Sequence, residues 1–536
     1  MRWLIPIFLI FLQFLTIYAA YQPAGIYVRL NQKAVDYVAE LASDAFPSIL
    51  NNLSPPDINA GVATVSKIHI SNVARPKIHA KFLDGKGVRY NISLESFRAD
   101  AYAEISVFVF TYEGDFTAQL EKLEIFSELH FDSTGNFTTV SAPVCNVTHS
   151  EMALIFPTGS SLIALQDEIK GQIISAIKDA VCTTSVEALT FIMAQKPVQP
   201  EDPGYEKPVE SDPNGFNIGE LGASLCKPET VETSEEDENV LISPMLQNGS
   251  AAPSSYWGVD LSVKHPPTFT NEDMIIGLDG GIMYNGWKAE STIPPQLLNK
   301  TRLDTKMIGI LASEYIPNTL FHHIYMYDLG SFKKQYGPST LPKILQKLSR
   351  AVCSKCYVEV SANLTDSLRQ PRLEIDASLG ARVQLSGNVS IMFQGREKMH
   401  DVLRANTKLH ITLKPTIRES KIHGDVSLNS VDVNVFDLGL GGPLAAPIEK
   451  LFSYIVPRVL WPQVKKRLRF AVNRRGIKLP VFCGVELEHT ELDFVDHALL
   501  LNTDFTFDMP MFVEKFKKYL EYKGKFNNNL PKYINM

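Results

Sequence analysis

Cysteine, tryptophan and net charge are all scarce in this chain. Six cysteines and four tryptophans in 536 residues are too few cross-links to replace an apolar core, so any large fold here must rest on burial. A net charge of −7 leaves no footprint for nucleic acid. Past residue 20 no stretch reaches the roughly 18 uncharged residues that a spanning helix needs. Enzyme signatures are missing too: there is no G-x-S-x-G, no H-E-x-x-H and no P-loop. "LGLGG" (438–442) follows a strand pattern and precedes a helical one, but the dinucleotide fingerprint needs glycine where Leu444 stands, so it reads as a turn. Cys353 and Cys356 form a C-x-x-C without the helix start of a redox pair or the second pair of a zinc site, so a structural disulfide is favoured. Which of Cys226, Cys353, Cys356 and Cys483 pair stays open among three connectivities. His322–His323 reads as a surface or satisfied core pair rather than as ligands. No enzyme, no cofactor and no metal site is expected.

What is present begins with residues 1–20, MRWLIPIFLIFLQFLTIYAA. A basic start, an apolar run and a small-residue ending read as a secretory signal peptide, so a secreted, extracellular protein is expected. Eight N-x-S/T sequons agree. Asn52 is followed by Ser54–Pro55 and is the poorest acceptor; Asn91, Asn136, Asn146, Asn248, Asn299, Asn363 and Asn388 are the glycosylation candidates.

Periodicity sets the fold class. After a short extended piece, Asn31 is placed to cap a helix whose Val35, Val38 and Leu41 recur at helical spacing, with Pro47 expected to bend or end it. Alternating segments such as "VRYNISLESF" and "AYAEISVFVF" follow. A second helix then carries Leu162, Leu165, Ile169, Ile173, Ile177 and Val181 as its stripe. Helix, many strands, helix is α+β with antiparallel sheet, not the alternation of a parallel fold. Residues 201–238 hold twelve Asp or Glu against Lys207 and Lys227 and read as a solvated linker. Beyond it the same composition returns, so two similar halves are expected. The longest alternation is "RLEIDASLGARVQLSGNVSI" (372–391), with an upper-limit span of about 60 Å if fully extended. Gly380 and Gly387 make a bend or hairpin within it the expectation.

Several stretches, in order along the chain, resemble the bactericidal/permeability-increasing protein family, which includes lipopolysaccharide-binding protein and the cholesteryl-ester and phospholipid transfer proteins. They are "GIYVRLNQKAVDYV", "ISNVARPKI", Cys145 with Cys182, "YIVPRVLWPQVKKRL" and "GIKLPVFCGVELEHTELDFVDHALLLNTDF". The resemblance covers roughly residues 23–508. It implies an elongated two-domain boomerang, each domain a twisted antiparallel barrel-like sheet wrapped around a long helix, joined by a central sheet. After the signal peptide 1–20 the implied division is an N-terminal lipid-binding domain 21–255 and a C-terminal lipid-binding domain 256–508, while the acidic insert at about 198–240, the four further cysteines and the basic amphipathic tail 509–536 depart from the family's pattern. It also implies a disulfide between Cys145 and Cys182, worth roughly 3–4 kcal/mol for a loop of that length.

Such a sheet, closing over an amphipathic helix, either packs solid or leaves a slot for acyl chains. The expected tunnel residues are Val35, Val38, Leu41, Ile169, Ile173, Ile177, Ala377, Leu379, Ala381 and Val383, the small ones favouring a slot. In the archetype a basic N-terminal tip engages anionic lipid. Here residues 21–200 carry 13 Lys/Arg against 19 Asp/Glu, and one local run, Arg75, Lys77, Lys81, Lys86 and Arg89, is the candidate for headgroup or membrane contact, although the polar side of a strand pair would show the same run. A second basic stretch, 451–480, fits either an anionic surface or a helix C-terminus. The expected function is a secreted lipid-binding protein holding phospholipid acyl chains, with lipid transfer as an extension. The alternative is an innate-defence binder of lipopolysaccharide or another anionic envelope lipid. The expected partners are phospholipids or other acyl lipids, lipopolysaccharide under the alternative, and a peripheral membrane or lipoprotein surface.

Overall fold

The computed structural model describes residues 23–51, 58–60, 63–107, 110–134, 137–150, 152–184, 186, 257–260, 262–284, 287–289, 295, 298, 300, 306–327, 332–337, 357–363, 371–394, 399–418, 421–437, 477–478 and 485–510. Residues 1–20, the acidic segment, "LGLGG", Asn52, Asn136, Asn248, Asn299, Cys226, Cys353, Cys356, Cys483, the 451–480 stretch apart from 477–478, and the tail after 510 lie outside the described residues.

The protein is α+β, and every strand pairing among the described residues is antiparallel. A six-stranded central sheet takes its strands from both ends of the chain. The strand Ile26–Asn31 lies between Asp273–Leu278 and Ile308–Ser313, and Ile308–Ser313 pairs in turn with Ala498–Phe507. Apolar residues make this strand central: Tyr27 and Leu311 are fully buried beside Ala24 and Ala498. Backbones come close here, and a Cβ on Gly277 would stand 2.5 Å from the Cβ of His265.

Helix α1 (Gln32–Leu50) follows directly, and the Asn31 side chain accepts the Lys33 N–H at 3.1 Å as its cap. Pro47 does not end the helix. Only three residues follow it, so its missing N–H removes one bond from the last turn, and the Asn51 N–H still donates to the Pro47 carbonyl at 2.9 Å. The Gln32 amide fastens α1 to an edge strand, donating to Ala80 O at 2.7 Å and accepting the Phe82 N–H at 3.1 Å.

The first half holds two open sheets. One has four strands, Lys77–Leu83, Gly87–Leu94, Leu123–Thr134 and Phe137–His149; the other runs Met152–Ile155, Phe110–Leu120, Phe97–Val107, Ala63–Ser71, Ile58–Ala60. Neither closes into a barrel among the described residues. Their inner faces share one apolar cluster with helix α2 (Gln166–Asp179) and the tight 3-10 turn Ser161–Leu165 before it. The chain widens into a π turn at Ala180–Thr184, where Cys182 is bonded to Cys145 with Cα atoms 5.9 Å apart.

The second half is a seven-stranded sheet whose long strands are Gly380–Gln394, Met399–Arg418 and Lys421–Asp437. The 372–391 alternation is a hairpin: Arg372–Asp376 pairs with the start of Gly380–Gln394, and Asp376 faces Gly380. The Asp376 carboxylate accepts the Ser378 hydroxyl and the N–H groups of Ser378 and Leu379 at 2.6–2.9 Å, which holds it below the usual carboxylate range, and Gly380 takes the positive φ of +76° that the turn requires. Helix α3 (Tyr315–Met326) joins this hairpin to the central sheet through the buried Glu314, whose carboxylate accepts the Ile375 N–H at 2.7 Å and bonds His497 Nδ1 at 3.0 Å.

Candidate functional site

The apolar faces of α1 and α2, with the sheets they cover, form the candidate site. On α1 the residues turned hardest against the body are small: Ala34, Ala39 and Ala45 are buried, Ala34 against Met307 and Phe505. The larger stripe expected for a tunnel stands at the margin instead. Val35 and Leu41 are half-buried and Val38 is 48% exposed. Alanine lets the helix approach closely, which pushes the longer side chains to the rim of the contact.

On α2 the gradient runs along the helix. Leu162, in the turn before it, and Ile169 are fully buried, whereas Leu165, Ile173, Ile174, Ile177 and Val181 are only partly covered while packing on the same cluster. The facing wall is built of small residues. Ala99, Ala101 and Ala103 point inward from Phe97–Val107, opposite Ala118, Phe116 and Gly114 of the next strand. A cavity of about 340 Å³ opens beside α2, lined by His149, Met152, Lys170, Gly171 and Ile174. A Cβ added at Gly171 would meet nothing within 4 Å. This volume is near the lower end for a small-molecule site, and its lining is apolar with Lys170 as the one cation. A second hollow of about 470 Å³, lined among others by Lys67, His69, Asp100, Asp115 and Phe156, is polar on one side, and there Thr117 Oγ1 donates to Asp100 at 2.6 Å.

The second half is different where a slot was expected. Leu373, Ile375, Ala381, Val383 and Ile411 are buried in one cluster, closed over by Phe321, Leu385, Leu409, Leu413, Leu428, Phe494 and Leu499. Ala381 and Val383 are therefore core residues. Ala377 and Leu379 are neither wall nor core: they sit in the hairpin turn, and Leu379 is 57% exposed. The turn has three residues, so the inward phase continues through it and carries these two into the pattern without carrying them into the sheet.

The basic run lies on and beside the edge strand Lys77–Leu83, with much of its charge answered locally. Arg75 pairs with Asp44 of α1 at 2.7 Å, Lys77 with Glu95 at 3.1 Å and Arg89 with Glu128 at 2.6 Å. The Arg89 hydrogen bond holds the Glu128 carboxyl below its ordinary range. Lys81 and Lys86 are exposed, and no ion pair is found for them among the described residues.

His322 and His323 are buried, and His323 Nε2 bonds the Ile282 carbonyl at 3.0 Å; burial pushes the His323 imidazole down. Among the described residues no three His, Cys, Asp or Glu side chains gather as a metal would need, and no helix is long and apolar enough to cross a membrane. Sequence reasoning missed two parts of this geometry. The small wall was visible as alanine at every second position of "RADAYAE", but only the fold shows which way it faces. The pair of buried Asp260 with half-buried Lys288, with Asp279 3.5 Å from the same ammonium, joins residues too far apart in the chain to leave a signal. Burial opposes ionisation of Asp260, but Lys288 and the Ser262 donors outweigh it and bring the carboxyl below its usual range.

Comparison with known proteins bears on what this surface is for. Residues 34–189 match the N-terminal domain of the LBP / BPI / CETP family and residues 253–507 match its C-terminal domain. The chain is 73% identical over 526 residues to "Nose resistant to fluoxetine protein 5" of Caenorhabditis elegans, covering 96% of this chain and 95% of that one. It is 19% identical over 505 residues to human "Lipopolysaccharide-binding protein", covering 90% and 92%. The crystal structure of a lipopolysaccharide binding protein superposes with a TM-score of 0.41 at 15% identity, over 90% of this chain and 99% of that one.

Proposed function

The chain belongs to the LBP / BPI / CETP family, a lipid-binding family, and from that premise we propose that it is an exported protein that holds acyl chains along the α1 and α2 faces of its first half. The observation that carries this reading is a cavity of about 340 Å³ lined by Met152, Lys170, Gly171 and Ile174, with Ile173, Ile177 and Val181 half-covered along the same stretch of chain. Apolar side chains left partly in water at the mouth of a hollow gain from a ligand that covers them, about 0.8 kcal/mol for each CH₂ buried. No reacting group is needed, and Lys170 at the rim offers one cation to a phosphate headgroup. Passing the lipid between membranes is the natural extension, because binding by burial alone is reversible.

Lipopolysaccharide or another anionic envelope lipid is the competing ligand. Its support is the human relative's name. Its expected residues, however, are largely committed to carboxylates, as Arg75, Lys77 and Arg89 are.

The test is native mass spectrometry of the secreted chain, followed by extraction of bound lipid. Co-purifying phospholipid is expected. A Gly171→Leu variant, which fills the open space beside α2, is expected to carry less of it while folding normally, since leucine is favoured over glycine in a helix interior by about 0.8 kcal/mol. Protein from a lipid-rich source that carries no lipid, or a Gly171→Leu variant loaded like the parent, would sink this assignment. Selective binding of lipopolysaccharide that weakens with salt would move it to the competing ligand.

A further inference from the structure

We infer that Asn91 and Asn146 carry a pair of N-linked glycans that together roof the outer face of the four-stranded sheet of the first half and close its basic edge strand to docking. The face of each residue is fixed independently. Ile92, Leu94, Leu123, Ile125 and Val147 belong to the apolar cluster, and Cys145 reaches inward to Cys182 behind the sheet. Successive side chains alternate, so Asn91, Phe126 and Asn146 point outward, and both asparagines are exposed. Register then sets them in one row: Asn91 faces Phe126, and Phe126 faces Asn146. Two strand spacings put the asparagines about 10 Å apart. Each heads a sequon, Asn91-Ile92-Ser93 and Asn146-Val147-Thr148.

The row continues past Asn91 to His79 on the edge strand, with Lys77 and Lys81 on the same outward face. A sugar at Asn91 thus stands over His79 with a lysine two residues away on either side, and a sugar at Asn146 shelters Phe126 from the other side. The Arg89 guanidinium already lies 5.8 Å from the centre of the Phe126 ring, and the C–H face of a first sugar is the complementary cover for what remains of it. The cavity beside α2 opens on the opposite side of this sheet, so the glycans leave it free. The inference rests on export of the chain, which the proposed function includes.

The experiment expresses the whole chain, leader included, in secreting insect cells and maps glycopeptides by mass spectrometry. Asn91→Gln and Asn146→Gln are each expected to remove the mass of one glycan. Enzymatic removal of the sugars from the native protein is expected to raise acylation of Lys77 and Lys81 by a water-soluble ester, a readout that needs no variant to fold. Sugar at Asn363 or Asn388 with Asn91 and Asn146 bare overturns the inference and leaves export standing. Retention in the cell with no sugar at any sequon overturns both. Lysine acylation unchanged by deglycosylation overturns the roof.

Discussion

The first and second halves use similar alternating strands to different ends. In the first half the inner wall is Ala99, Ala101, Ala103 and Ala118, the helix of the same cluster keeps Ile173, Ile174 and Ile177 half in water, and a cavity opens beside that helix at Met152, Gly171 and Ile174. In the second half, around the hairpin at 372–394, small Ala381 is surrounded by Phe321, Phe494 and a set of leucines that fill what it leaves. A small residue in a wall therefore does not make a slot. What matters is whether its neighbours across the core are large enough to reach it, and that depends on partners distant in sequence.

This contrast can be broken most severely at the disulfide. Replacing Cys145 and Cys182 together by serine frees α2 from its sheet and is expected to cost roughly 3 kcal/mol. In hydrogen exchange the loss should appear in the first half while the 372–394 hairpin keeps its protection. Equal loss of protection in both halves would show them to be one cooperative unit. Acid should act on the other side of the comparison. Burial and the nearby Lys300 ammonium lower the pKa of His265, and burial with the His322 neighbour lowers that of His323. A lowered imidazole favours the folded state only while it is neutral. Stability should therefore fall as the pH drops below the ordinary histidine range, with the strands around His265 loosening first. The check is thermal unfolding from pH 7 to pH 5, with His265→Gln flattening the slope. The smallest effect is expected at Leu379. A core wall residue truncated to serine would cost several kcal/mol, whereas Leu379→Ser in an exposed turn should stay within about 0.5 kcal/mol by denaturant unfolding.

Much of the fold was legible in the sequence because it was local. Asn31 as a cap, the stripe from Leu162 to Val181 and the period-two segments each express a preference satisfied within a few residues. The parts that escaped were set by distance or by parity. A three-residue turn leaves odd positions inward on both sides, so the alternation runs through Ala377 and Leu379 without a break, and Asp376 and Gly380 are the local marks of the hairpin. The ion pairs of the basic run left no local signal because Asp44, Glu95 and Glu128 come from a helix, a strand end and a neighbouring strand. On α1, Val35 and Val38 made the stronger periodic signal, yet the alanines beside them took the closer contact.

The strand Ile26–Asn31 has a consequence in time. Arg29 of that strand ends 2.6 Å from Asp273, a residue 244 positions later. At a synthesis rate of about 5–20 residues per second, this strand waits on the order of ten to fifty seconds for its first partner strand. During that interval an apolar strand with both edges unpaired, Tyr27 near its start, is available to any other extended segment, including the same strand of a neighbouring nascent chain. Whatever keeps this protein from aggregating as it is made must act there, before the central sheet exists.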